Sequence, residues 1–274
     1  MMWRSMIARR MDVHDARSAE SACTMSIATC MTILAAALAL NSPCVVGGGY
    51  GGGGSALAAT TLQGQEIDPT VPRYRPGMHR PKSRIEGATR GVESSELLVL
   101  PLVPDHVGLT IAGQPVLYWY LSKLTTSPII FVLVDTRSVE VVHDVTLSPQ
   151  PQPGVQLVRL TDLGIVLEPN VQYRWYITVV TDGQSPSRDI VSGGMIERIR
   201  PESILSPLPA PDSTIAAVRF YAENGLWYDA LASISDLISS APKDRLLRRQ
   251  RAALLQQVGL QEPAEWDLRQ AATE

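Results

Sequence analysis

Beyond residue 44 the chain contains no cysteine. All three, Cys23, Cys30 and Cys44, lie in the opening stretch. The later chain therefore has no thiol nucleophile, no disulfide framework and no cysteine-based zinc site. Histidine is also scarce: past the opening stretch only His79, His106 and His143 occur. No two of them have the i, i+4 spacing of metal ligands on a helix. Strong charge is missing too. The formal net charge is −3, and a nucleic-acid binder normally displays a concentrated basic surface. No Gly-x-Ser-x-Gly elbow is present. Gly183-Gln184-Ser185-Pro186-Ser187 fails at its last position. The glycine tract Gly47–Gly54 lacks the Gly-Lys-Ser/Thr ending of a phosphate loop.

What is present begins with a leader. Arg4, Arg9, Arg10 and Arg17 form a basic start, and Thr24 to Leu40 is uncharged and apolar. Ala37-Leu38-Ala39 and Ala56-Leu57-Ala58 offer small-residue exits. Residues 1–58 are thus expected to be a signal peptide, or a membrane anchor if uncleaved, with a glycine-rich spacer. This places the protein outside the cytoplasm, periplasmic or secreted. Residues 59–96 are polar and proline-bearing, which predicts a disordered linker.

From 97 to 200 the pattern becomes one of short Val/Ile/Leu/Tyr/Trp runs separated by turn residues. Seven strands are predicted: Leu97–Val103, Pro115–Leu121, Ile129–Asp135, Val139–Leu147, Val155–Leu160, Gln172–Thr181 and Ile190–Ile199. This spacing describes an immunoglobulin- or fibronectin type III-like β-sandwich. Tyr173 and Trp175 alternate onto one face of their strand as structural core residues. The run Leu167-Glu168-Pro169-Asn170-Val171-Gln172-Tyr173 resembles a tyrosine corner. Aromatic and basic residues on opposite faces, Tyr118, Tyr120, Arg174 and Tyr176, are the candidate binding residues.

A proline-rich hinge at 201–211 leads to a helical tail at 212–260. Asp212 or Ser213 is the expected first cap. Trp227, Ala230, Leu231, Ile234, Leu237 and Ile238 fall on one helical stripe. The order of helix, Asn224-Gly225 turn, helix with Ala230-Leu231, then Pro242 resembles one tetratricopeptide unit. Such a unit needs a surface to pack on. Lys243, Arg245, Arg248, Arg249 and Arg251 are expected to face outward, and Arg248 joins the candidate binding residues. Residues 261–274 are read as an extension.

Several motifs occur in order: Val103-Pro104, Gly108-Leu109-Thr110, Pro115 to Leu121, Tyr173-Arg174-Trp175-Tyr176, Gly194 to Arg198, and Trp227-Tyr228-Asp229-Ala230-Leu231. Over about Leu97 to Gln261 they resemble the bacterial domain of unknown function family 928, common in cyanobacteria. The resemblance implies that sandwich and tail recur as one unit. It carries no catalytic residue, because the family has no established activity. It suits a partner such as another envelope or helical-repeat protein. The expectation is a non-enzymatic interaction module without cofactor or metal. It would not contact nucleic acid, and would meet a membrane only through the leader. A carbohydrate or envelope-polymer binder, and a hydrolase with an unrecognised carboxylate pair, are the other readings.

Overall fold

The computed structural model describes residues 71–77, 83–88, 97–147, 152–181, 189–204 and 214–273. All of them belong to one unit, Leu62–Glu274. The leader and its cysteines, the glycine tract, the 183–187 turn, most of the proline hinge and the expected caps Asp212 and Ser213 lie outside the described residues. Among the described residues no helix is long and apolar enough to cross a membrane.

Nine strands are described: β1 Gly87–Ala88, β2 Leu98–Pro101, β3 Gly108–Thr110, β4 Val116–Leu121, β5 Ile129–Asp135, β6 Glu140–Leu147, β7 Gly154–Arg159, β8 Gln172–Val179 and β9 Ile190–Arg198. They form two sheets, ordered β1-β2-β4-β7 and β3-β9-β8-β5-β6. The consecutive pairs β1-β2, β5-β6 and β8-β9 are neighbours within one sheet, the other connections cross between the sheets, and β3 runs parallel to the C-terminal part of β9 while the other named pairs are antiparallel. This is an immunoglobulin-like β-sandwich. The seven expected strands are all there. The sequence pattern missed β1 and β3, because a stretch of two or three residues has no alternation to read.

Alternation explains the core between the sheets. On β4, Leu117, Trp119 and Leu121 are buried, and on β8 so are Tyr173, Trp175, Ile177 and Val179. The Tyr173 hydroxyl accepts a hydrogen bond from the Glu168 backbone N–H at 3.2 Å. That bond closes the corner before β8, where Asn170 takes the left-handed conformation, φ +61°.

After a 3-10 turn at Pro201–Ser203 the tail holds four helices: α1 Ile215–Glu223, α2 Trp227–Ser240, α3 Arg245–Gln257 and α4 Gln261–Thr273. Thr214 is the first cap, accepting from the Ala217 N–H at 3.1 Å. The stretch expected as a C-terminal extension is therefore mostly helix α4. Its Ala264, Asp267 and Ala271 are buried. Helix α2 packs on β3 and β4, and α4 on β7. Sandwich and tail share one continuous hydrophobic core, in which Trp119 and Trp175 are clustered with Trp227, Leu254 and Ala264.

The linker expectation for 59–96 fails at two described stretches. Tyr74 is buried, stacks on His106 with centroids 6.0 Å apart, and meets Trp227 edge-on at 5.0 Å. Ile85 exchanges backbone hydrogen bonds with Gly193 of β9, and β1 then pairs with β2. This strap spans from one sheet to the other. Its local composition is polar, but one aromatic and a few backbone bonds suffice when the receiving surface is already built.

Candidate functional site

The predicted site residues lie in three separate places. Strand alternation sends Tyr118 and Tyr120 to the face of β4 opposite Trp119. That face is covered by the tail, so the two tyrosines are 3 % and 1 % exposed. Tyr118 sits beside Ser235, Asp236 and Arg251, and burial pushes its hydroxyl up to about 12. Tyr120 meets Trp266 of α4 edge-on at 6.4 Å. The expected aromatic platform is therefore packing surface. The reason is that an amphipathic tail must cover apolar area, and β4 supplies it. Arg174 and Tyr176 lie on the outer face of the other sheet. Tyr176 is buried, and the Arg174 guanidinium reaches the Met195 sulfur at 3.7 Å. Arg248 is half-buried on α3.

The tail is held by a row of three residues at the start of α2. Trp227 Nε1 donates to the Leu102 carbonyl at 2.8 Å. The Tyr228 hydroxyl accepts from Trp175 Nε1 at 2.9 Å and donates to the Met195 carbonyl at 3.1 Å. Gly108 makes room for it: a Cβ there would stand 2.6 Å from the Tyr228 ring. The Asp229 carboxylate accepts from Thr110 Oγ1 and from the Ile111 N–H, each at 3.2 Å. Burial lifts Asp229 to about 7 against these hydrogen bonds, which pull it down. The residue as a whole keeps partial exposure. Tyr228 and Asp229 carried no assigned role in the sequence. The motif Trp227-Tyr228-Asp229 thus works as an anchor, with Ala230 and Leu231 buried behind it.

A second buried cluster lies deeper in the tail. Arg251 grips Asp267 with two hydrogen bonds, Nε to Oδ2 at 2.7 Å and Nη2 to Oδ1 at 2.6 Å, and reaches Ser235 Oγ at 3.2 Å. Arg251 is 5 % exposed and Asp267 is fully buried. Arg251 was expected to face outward. Helical position alone does not separate it from Arg249, whereas the carboxylate brought in by α4 does.

The outward surface of α3 is different. Arg245, Arg249, Ala253 and Gln256 recur at i, i+4, i+8 and i+11 along one stripe. Arg245 and Arg249 are exposed and form no ion pair among the described residues. The stripe runs into an open groove lined by Ala253 and Gln256, Gln257, and by Val71, Pro72 and Arg73 of the strap. Gln257 fastens that strap, accepting from the Tyr74 N–H and donating to the Pro72 carbonyl at 2.8 and 2.9 Å. Arg73 and Arg75 are exposed at this end. No group of three His, Cys, Asp or Glu placed to hold a metal ion occurs among the described residues.

A protein-family model described as Domain of Unknown Function (DUF928) matches residues 85–268. No curated protein matches the chain. Among solved structures, a DUF3244-family protein from Bacteroides vulgatus, described as having an immunoglobulin-like β-sandwich fold, matches at 14 % identity. The match covers 42 % of this chain and 98 % of that one, with a TM-score of 0.24. A multi-domain immunophilin from Arabidopsis thaliana matches at 8 % identity over 71 % of this chain and all of its own, with a TM-score of 0.16. The strand order β2-β4-β7 against β9-β8-β5-β6 is itself that of an immunoglobulin-like sandwich.

Proposed function

The chain belongs to the DUF928 family, and on that premise we propose that it is a non-enzymatic, extracytoplasmic interaction module presenting the basic stripe of α3 to an acidic partner protein. The observation that carries this reading is the pair of exposed arginines, Arg245 and Arg249, which form no ion pair among the described residues and share the α3 stripe with Ala253 and Gln256 of the groove that Arg73 also lines. Arginine is enriched at interfaces because its guanidinium is weakly hydrated and binds carboxylates in a fixed geometry. Opposite charge on a partner would speed encounter and select register. Placement outside the cytoplasm is supported by the leader at 1–58. The tetratricopeptide-like reading of α1 and α2 is supported by the left-handed Gly225 turn, φ +73°, and by buried Ala230 and Leu231. Aromatic glycan recognition through Tyr118 and Tyr120 is not proposed, since both are covered.

Deleting the tail would open the shared core, so the test uses surface changes. The full chain and its Arg245→Glu/Arg249→Glu variant are used to capture partners from envelope extracts at low and high salt. A protein retained by the wild type, released by salt and lost from the variant is expected. Equal capture by both forms would sink the proposal.

A further inference from the structure

Strand β6 is the outermost strand of the five-stranded sheet and pairs with β5 alone among the named strands. Its register against β5 is unbroken from His143 to Leu147 and shifts beyond Leu133, where Val142 is skipped. The bulge turns the edge aside at 141–142 and leaves 143–147 as a regular template. Asp144 and Thr146 are exposed there; His143, Val145 and Leu147 are half-buried. Val145 and Leu147 border the core without completing it. Natural edges are usually blunted by Pro, Lys or a covering segment. Residues 143–147 contain neither Pro nor Lys. The connection to β7, residues 148–153, reads Ser-Pro-Gln-Pro-Gln-Pro. Its three prolines carry no backbone N–H to give to a ladder.

The strand's own sequence identifies an occupant. In an antiparallel pair, residues directly opposite share a face. A twofold axis through the sheet therefore sets one residue against itself. Centring on Asp144 opposes two carboxylates. Centring on Thr146 pairs only Val145 to Leu147. Centring on Val145 pairs all five residues: Val145 with itself, Asp144 with the partner's Thr146, and His143 with the partner's Leu147. No like charges meet, and the half-buried apolar row gains cover.

We propose that two copies of this chain associate through β6 in this register, joining their five-stranded sheets into one. A five-residue ladder buries less than the roughly 1,200 Å² typical of stable interfaces, so the dimer is weak and reversible. Twofold pairing of identical surfaces is the commonest closed symmetry.

Sedimentation of the full chain over a concentration series tests this. Wild type is expected to pass from monomer to dimer as concentration rises. Thr146→Asp sets like charges opposite each other twice and is expected to weaken association roughly tenfold. Thr146→Lys faces the partner's Asp144 and is expected to strengthen it. Asp144→Lys combined with Thr146→Asp is expected to restore it. Positions 144 and 146 are exposed, and a melting curve for each variant shows whether folding is kept. A wild type that stays monomeric, or a dimer whose affinity ignores both signs of charge at 146, would overturn the proposal. Thr146→Lys leaves Asp144 untouched and so decides the register even if the double variant folds poorly.

Discussion

Asp229 shows how much one side chain adds to the joint between sandwich and tail. Its neighbours supply hydrogen bonds from Thr110 and Ile111, and among the described residues no cation contact offsets its burial. Unfolded, such a carboxyl titrates near 4; folded, it titrates near 7. Between these values the folded chain holds a proton that the unfolded chain has lost. Stability from this group is therefore full below about pH 4 and falls as pH rises toward 7. Partial exposure limits the loss to about 1–2 kcal/mol, less than the full difference at 1.36 kcal/mol per unit. Asp229→Asn is expected to flatten the fall in denaturation midpoint between pH 4 and 7. An unchanged pH slope in the variant would contradict this. Tyr228 next to it has no such switch, since burial holds its hydroxyl protonated well above the ordinary range. Its role is to satisfy Trp175 Nε1 and the Met195 carbonyl at once.

At the scale of elements, helices α3 and α4 are joined by the Arg251–Asp267 pair as well as by apolar contact. The pair is bidentate and nearly free of solvent. Removing one partner leaves a buried charge uncompensated, and Asp267→Ala is expected to cost about 3–5 kcal/mol. Replacing both, as Arg251→Met with Asp267→Leu, is expected to recover most of that loss, because the desolvation penalty goes with the charges. Chemical denaturation of the three variants checks it; a double variant as unstable as the single one would refute the account. Gly154, at the start of β7, is a related case. Its φ of +125° and the Trp266 indole against its α-carbon leave no space for a side chain.

At the scale of the whole molecule, the strap makes sandwich and tail one body. Arg84 Nη1 donates to the Val103 carbonyl at 3.2 Å and to the Val258 carbonyl at 2.8 Å. The second bond falls on the C-terminal end of α3, where the helix dipole favours a cation. Tyr74 fills the angle between His106 and Trp227. Tyr74→Ala is expected to cost about 3 kcal/mol, with faster amide exchange through α1, the start of α2 and the end of α3. Exchange altered only within 71–77 would show that the strap merely rests on the surface.

Periodicity alone determined a good deal. Seven strands, the tyrosine corner, the two helices around Asn224-Gly225 and the core residues Tyr173, Trp175, Trp227, Ala230 and Leu231 all follow from alternation, helical spacing and turn chemistry, which act within a few residues. Tertiary structure decided the rest. The exposed-looking Tyr118 and Tyr120 became interior because a helix arrived from more than a hundred residues later in the chain. Arg251 turned inward because Asp267 met it there. A polar lead-in became a strap because the surface that receives it is assembled from both ends of the fold. In each case the deciding free energy comes from desolvation and pairing between distant residues, and no local pattern records which distant residues will meet.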